Sequence, residues 1–179
     1  MRIGSLALVP AASRHDLLAP SVATAVAQLS GDVEVAEIDP AFSDTGAFCA
    51  HYDVPLGRAA NCIIVEATRG ETRKLAAVIV AGSARADING VVRRTLDARR
   101  VSFAPMDEAV ALTGMEFGAI TPVGLPTDWS ILIDPAVAAA DAVIIGSGVR
   151  KSKLAISGAV LATLPNARVV KGLVKVSAG

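Results

Sequence analysis

The sequence predicts an α+β protein in which a mixed β-sheet carries helices packed around it. Three observations lead there. Strand-like apolar runs recur between helical segments along the 179 residues. Two of those runs, 62–67 and 75–82, are joined by the polar stretch 68–74 and read as an antiparallel hairpin, which a purely parallel fold lacks. Neither a Gly-x-Gly-x-x-Gly turn nor a Walker-type Gly-Lys-Ser/Thr occurs, so a doubly wound nucleotide-binding fold has no phosphate loop to stand on.

The elements follow in order. Helical periodicity runs over 16–29, with Asp16 as a possible cap and Pro20 interrupting it. Val33, Val35 and Ile38 suggest a short strand with acidic residues on its other face. Asp44 is placed to cap a short helix at 47–51 that carries Phe48 and Cys49. After the hairpin, Asp87 can cap a helix over 88–96, whose Ile88, Val91, Val92 and Leu96 share one face. Its Arg93 and Arg94 lie toward the C-terminal end, where the helix dipole favours positive charge. A strand at 99–105, a helix at 106–113 and strands at 131–135 and 142–145 come next. A helix at 158–164 and a strand at 167–170 close the chain.

Composition narrows the functional classes. At this length one domain spanning 1–179 is expected, large enough to bury a core. With 53% hydrophobic but 3% aromatic residues, that core is expected to be Val, Ala, Leu and Ile. No apolar run approaches the roughly 20 residues of a membrane span. The opening MRIGSLALVPAASRHD is broken by Pro10 and does not read as a leader, so a cytoplasmic protein is expected. Cys49 and Cys62 form no Cys-x-x-Cys pair and His15 and His51 are far apart, so neither a metal nor a cofactor is expected. Both thiols read as inert packing residues, and His51 as a surface or packing residue.

Seventeen basic residues balance seventeen acidic ones, but unevenly. Residues 1–55 hold seven acids against Arg2 and Arg14, whereas residues 142–179 hold six bases and no acid. Arg93, Arg94, Arg99 and Arg100 add a second basic group. Such a chain can hold phosphates locally without coating nucleic acid indiscriminately; the plainer alternative is a solvated charged face.

The segment LTGMEFGAITPVGLP (112–126), followed by ILIDP, carries the chemistry. Gly118 lets a ligand or another backbone approach closely, and Pro122 stiffens the loop and holds Thr121 extended. A rigid loop of this kind can turn backbone N–H groups toward an ester carbonyl or an amino acid. It can also be simply a well-made turn.

Taken together and in this order, residues 44–170 resemble the YbaK/prolyl-tRNA synthetase-associated domain family. The pieces are the 47–51 helix, AANCIIVEA, LAAVIVAG, the basic 88–96 helix, RRVSFAP, the 106–113 helix, the glycine–proline loop, ILIDP and AVIIGSGVRKSKLAIS. Residues 1–43 form an extension where the resemblance fades. The resemblance implies a curved, barrel-like mixed sheet surrounded by helices. It also implies hydrolysis of the ester of mischarged aminoacyl-tRNA, by a free-standing protein acting in trans on the tRNA acceptor end, alone or beside an aminoacyl-tRNA synthetase.

On that reading the 118–122 loop frames the aminoacyl group. Gly118 supplies backbone donors to the developing oxyanion, an effect of about 3 kcal/mol per donor, and Ala119, Ile120, Thr121 and Pro122 contact the substrate. Gly146, Ser147 and Gly148 match a second glycine-containing segment near the pocket. Asp134 either binds the α-amino group or caps the next helix. Arg150, Lys151 and Lys153 are candidate contacts for tRNA phosphates. The family pattern places a lysine where this chain has Asn61, and a neutral amide only donates and accepts hydrogen bonds. Asn61 then either orients the terminal ribose or ester carbonyl, or marks a lapsed enzyme that binds an aminoacyl ligand, a nucleotide or a synthetase without turnover. A general esterase would need a protein nucleophile, and no Ser-His-Asp or Cys-His set can be assembled.

Overall fold

A computed structural model describes residues 2–175. In chain order, β1 (Val9–Pro10) leads through short 3₁₀ turns to α1 (Pro20–Val26), and β2 (Val33–Glu37) to α2 (Thr45–His51). The hairpin β3 (Ala60–Arg69) and β4 (Thr72–Ala81) is followed by α3 (Arg93–Thr95), β5 (Arg100–Phe103) and α4 (Met106–Thr113). Then come β6 (Ser130–Ile133), α5 (Pro135–Ala138), β7 (Val143–Gly146), β8 (Ser152–Ile156), α6 (Gly158–Leu161) and β9 (Ala167–Val169).

The strands form two sheets among the described residues, ordered β1-β2-β8-β7 and β5-β3-β4-β6-β9. The first is antiparallel throughout. The second is mixed: β5, β3 and β4 run antiparallel, while β6 joins β4, and β9 joins β6, in parallel. A parallel backbone bridge, Ala59 to Ile144, links the sheets at the end of β3 that β5 leaves uncovered. The outer strands β1 and β9 pair on one side only, so the curved arrangement does not close into a barrel.

The core is aliphatic. Ile79 and Ile133 from the second sheet meet Ile145, Leu154 and Ile156 from the first, with Val22 and Val26 of α1 filling the same layer. On the other face of the first sheet, Phe48 and Cys49 of α2 pack on Ala36, Ile144 and Ala155. Burying each large aliphatic side chain contributes roughly 1.5–3 kcal/mol. Consecutive β8 residues thus face different layers: Leu154 and Ile156 the main core, Ala155 the α2 side. Lys153 shares the face of Ala155.

Several expectations change in detail. Pro20 does not interrupt a helix; it starts one, because its missing N–H is harmless at the first helical position. The stretch 68–74 is mostly strand, closed by a tight turn at Gly70 and Glu71. The segment 88–96 opens as a π-turn (Ile88–Val92) because the Asp87 carboxylate accepts from Val91 N (2.9 Å). The segment 142–157 holds two strands, and the second, β8, lies inside its sheet between β2 and β7.

Candidate functional site

A cavity of about 350 Å³ opens beside the bridge between the sheets. Its wall combines Thr45 of α2, residues 60–64 of β3, Gly118 and Ile120 of the loop, Gly146 at the end of β7 and Lys153 of β8. Phe103 and Met106 line it as well, and both are exposed, Phe103 to 71%.

The loop is seated by glycine contacts. Ala119 N donates to Glu116 O (3.0 Å), Gly148 N to Ala119 O (2.9 Å), and Glu116 N to Gly148 O (2.8 Å). A Cβ on Gly146 would lie 2.6 Å from Ala119 O, so only glycine lets the loop rest on the end of β7. Gly118 itself has φ +77°, a conformation that an L side chain adopts only with strain. Gly118 and Ile120 both line the cavity, and their peptide N–H groups have no acceptor among the described residues.

Asn61 lies in β3 opposite Val80, its side chain half-buried in the cavity wall. Its Oδ1 accepts from Thr45 Oγ1 at 2.7 Å, while Nδ2 has no acceptor among the described residues. Cys62 lines the same wall, and burial pushes its thiol well above the usual value. It stays protonated at neutral pH and is no nucleophile. Lys153 is 8% exposed; its Nζ donates to Ser43 O (2.8 Å) and stands 5.3 Å from the centre of the Phe48 ring. Burial lowers its pKa below the ordinary lysine value, opposed by the nearby Asp44 and Cys49 and reinforced by Arg150.

Of the residues singled out in the sequence, Asn61, Gly118, Ile120, Gly146 and Lys153 meet at the cavity. Lys153 sits in the wall, not on the outer surface where a phosphate contact was expected, because β8 is an inner strand. The others lie elsewhere. Ala119 and Thr121 are buried within the loop, and Thr121 N reaches only Met115 Sδ (3.4 Å). Pro122 borders a different cleft, with Leu29 and Leu125. The Asp134 carboxylate accepts from Ala136 N (2.9 Å) and caps α5. Ser147 is buried and hydrogen-bonded to Ser152 and Val149, and Gly148 packs against Ala19 and Met115. The Arg150 guanidinium holds the carbonyls of Phe117 (3.4 Å) and Pro40 (3.3 Å), bracing the loop, while Lys151 is exposed. Arg93, Arg94 and Arg99 border a separate shallow cleft with Arg69 and Asp97.

Sequence reasoning missed Thr45, Phe103 and Met106 as wall residues. The Thr45 contact with Asn61 joins residues sixteen apart and has no local signature. Among the described residues no helix is long and apolar enough to cross a membrane, and no group of three or more His, Cys, Asp or Glu could hold a metal ion.

Comparison with known proteins adds to this geometry. A solved hypothetical protein superposes with TM-score 0.69 at 23% identity, covering 79% of this chain and 90% of its own. A candidate trans-editing enzyme for prolyl tRNA synthetase superposes with TM-score 0.70 at 20% identity, covering 89% and 99%. A scaffold protein from a computational epitope-grafting design gives 0.71 at 19% identity, covering 94% and 99%. At these identities the likeness establishes a shared fold. No curated protein sequence matches the chain. The aminoacyl-tRNA editing domain matches residues 39–164, well over half of the sequence and spanning every residue of the cavity wall. The chain therefore belongs to the aminoacyl-tRNA editing domain family.

Proposed function

We propose that this protein hydrolyses the ester of mischarged aminoacyl-tRNA in the cavity between Asn61 and the 118–122 loop. The observation that carries this reading is that Gly118 and Ile120 both line the cavity and that neither peptide N–H has an acceptor among the described residues. Unpaired donors held by a braced loop suit an oxygen on which negative charge develops, and each is worth about 3 kcal/mol in a dry site. The cavity, about 350 Å³, suits an aminoacyl group with part of the terminal ribose. Water attacks the ester carbonyl carbon, the carbon–oxygen bond to the ribose breaks, and the amino acid leaves from a restored ribose hydroxyl. Asn61 Nδ2 is free to donate to the ribose or the carbonyl, since Oδ1 is turned to Thr45. Exposed Phe103 offers the flat apolar surface on which an unpaired terminal base stacks. The fold shared with a candidate trans-editing enzyme supports action in trans, on the acceptor end of a tRNA and alongside a synthetase.

A second reading, a binding module without turnover, is favoured by one observation: Asn61 is neutral where the family pattern has a cation. Release of amino acid from a panel of mischarged tRNAs by wild type and Asn61→Lys separates the two. Turnover by wild type supports hydrolysis. Turnover gained only by the lysine variant supports a lapsed enzyme, and silence in both with tight tRNA binding supports the module.

A further inference from the structure

We propose that Lys153 is the cation of this site: its ammonium, carried on β8, pairs inside the cavity with a negatively charged oxygen of the bound aminoacylated 3′ end. The inference rests on the reading of the cavity as an aminoacyl-tRNA site, and it assigns Lys153 a task different from holding phosphates on the outer surface.

Geometry carries it. Lys153 is 92% buried, yet no carboxylate among the described residues pairs with it. An ammonium has three donors, and among the described residues only one is engaged, with Ser43 O. A buried charge with unspent donors is costly unless something compensates it. The Phe48 face and the nearby Asp44 charge give partial compensation, and an anionic oxygen in the cavity would complete it. The entry to α2 connects the two wall positions: Ser43 O, just before the helix cap, holds the Lys153 ammonium, and Thr45 Oγ1 holds the Asn61 amide. Register places Lys153 beside Gly146, whose lack of a side chain brings the 118–122 loop down to the same level. A charge absent from β3 at Asn61 is thus present in the same cavity from the other sheet. The lowered pKa of the ammonium agrees with a desolvated group awaiting a counter-charge.

The test uses full-length protein and two probes: a mischarged tRNA that wild type hydrolyses, and an RNA minihelix ending in a non-hydrolysable 3′-aminoacyl amide. Lys153→Met keeps most of the length and the apolar stem of the side chain and removes the charge together with the bond to Ser43 O. It is expected to retain the circular dichroism spectrum, lose at least 100-fold in kcat/KM and bind the minihelix at least tenfold more weakly. A fall in kcat points to the carbonyl oxygen and a rise in KM to the terminal phosphate; either supports the inference. The double variant Asn61→Lys, Lys153→Met is expected to recover at least tenfold of the loss by returning a cation to the cavity. Should the methionine variant not fold, ¹³Cε-labelled wild type decides: of the five lysines, the Lys153 resonance should move most when the minihelix is added. A folded Lys153→Met within twofold of wild type in both probes, or a Lys153 resonance that does not move, overturns the inference while leaving the hydrolase reading intact. Wild type that hydrolyses no mischarged tRNA overturns hydrolysis instead, and minihelix binding still tests Lys153.

Discussion

Replacing Gly146 by alanine tests whether the 118–122 loop rests on the end of β7. The added Cβ would stand 2.6 Å from Ala119 O and 3.1 Å from both Ala119 C and Ile120 O. These are backbone atoms, so no side-chain rotation relieves the clash. Restoring an ordinary 3.4 Å contact requires the loop to lift by about 0.8 Å, against the Gly148 N to Ala119 O bond of 2.9 Å. Overpacking of this kind costs about 1–3 kcal/mol. For a chain of this size each kcal/mol lowers Tm by roughly 2–4 °C, so a fall of roughly 2–12 °C is expected. The same displacement moves Gly118 and Ile120 away from their place in the cavity wall. A positioning error near 1 Å costs on the order of 100-fold in rate, so kcat/KM on mischarged tRNA should fall by about that factor. The control is Gly57→Ala, whose Cβ meets nothing within 4 Å and whose effect should stay within about 0.5 kcal/mol. Thermal unfolding followed by circular dichroism and single-turnover deacylation read the two quantities. A Gly146→Ala protein that unfolds and turns over as wild type does would refute the seating of the loop.

Three further outcomes follow from the geometry. Asp134→Ala removes the α5 cap and should lower stability by about 1 kcal/mol, seen in urea unfolding, with kcat/KM unchanged; a large kinetic loss at wild-type stability would instead give Asp134 a substrate. Phe103→Ala should raise KM roughly tenfold and leave kcat and Tm near wild type, because base stacking on an aromatic is worth about 1–3 kcal/mol and the ring is 71% exposed; an unchanged KM would remove the base from that surface. Arg73 pairs with Glu108 and Glu66 at 2.6 Å each and holds the Glu108 carboxyl below its usual value. A lowered carboxyl pKa contributes stability that is present above about pH 4.5 and is lost as pH falls through the folded value. Tm should therefore drop on acidification from about pH 5 to about pH 3, and Arg73→Met should shrink that drop; an identical acid limb in both proteins would assign it to other groups.

Where structure follows from neighbours in the chain, the letters sufficed. Asp44 and Asp134 cap α2 and α5 because a carboxylate reaches N–H groups two residues on, whatever the rest of the molecule does. The β3–β4 hairpin is legible because its apolar runs are adjacent, while its register, set by a turn at Gly70 and Glu71 tighter than the polar stretch 68–74 suggests, is not. Pro20 misleads because a proline that breaks a helix in its interior starts one at its first position.

Fold class, an aliphatic core, the glycine loop and the departure at Asn61 belong to the sequence by itself. The first three rest on periodicity, composition and short-range sterics, and the departure at Asn61 on the family resemblance. Which side chains share the cavity was decided only by tertiary structure. The RKSK run at 150–153 reads as a set of candidate contacts for tRNA phosphates, yet Lys153 is buried against Ser43, 110 residues away, because β8 inserts between β2 and β7. Strand insertion is a long-range pairing with no local signature, and it alone turns a surface charge into the one ammonium in the cavity wall among the described residues.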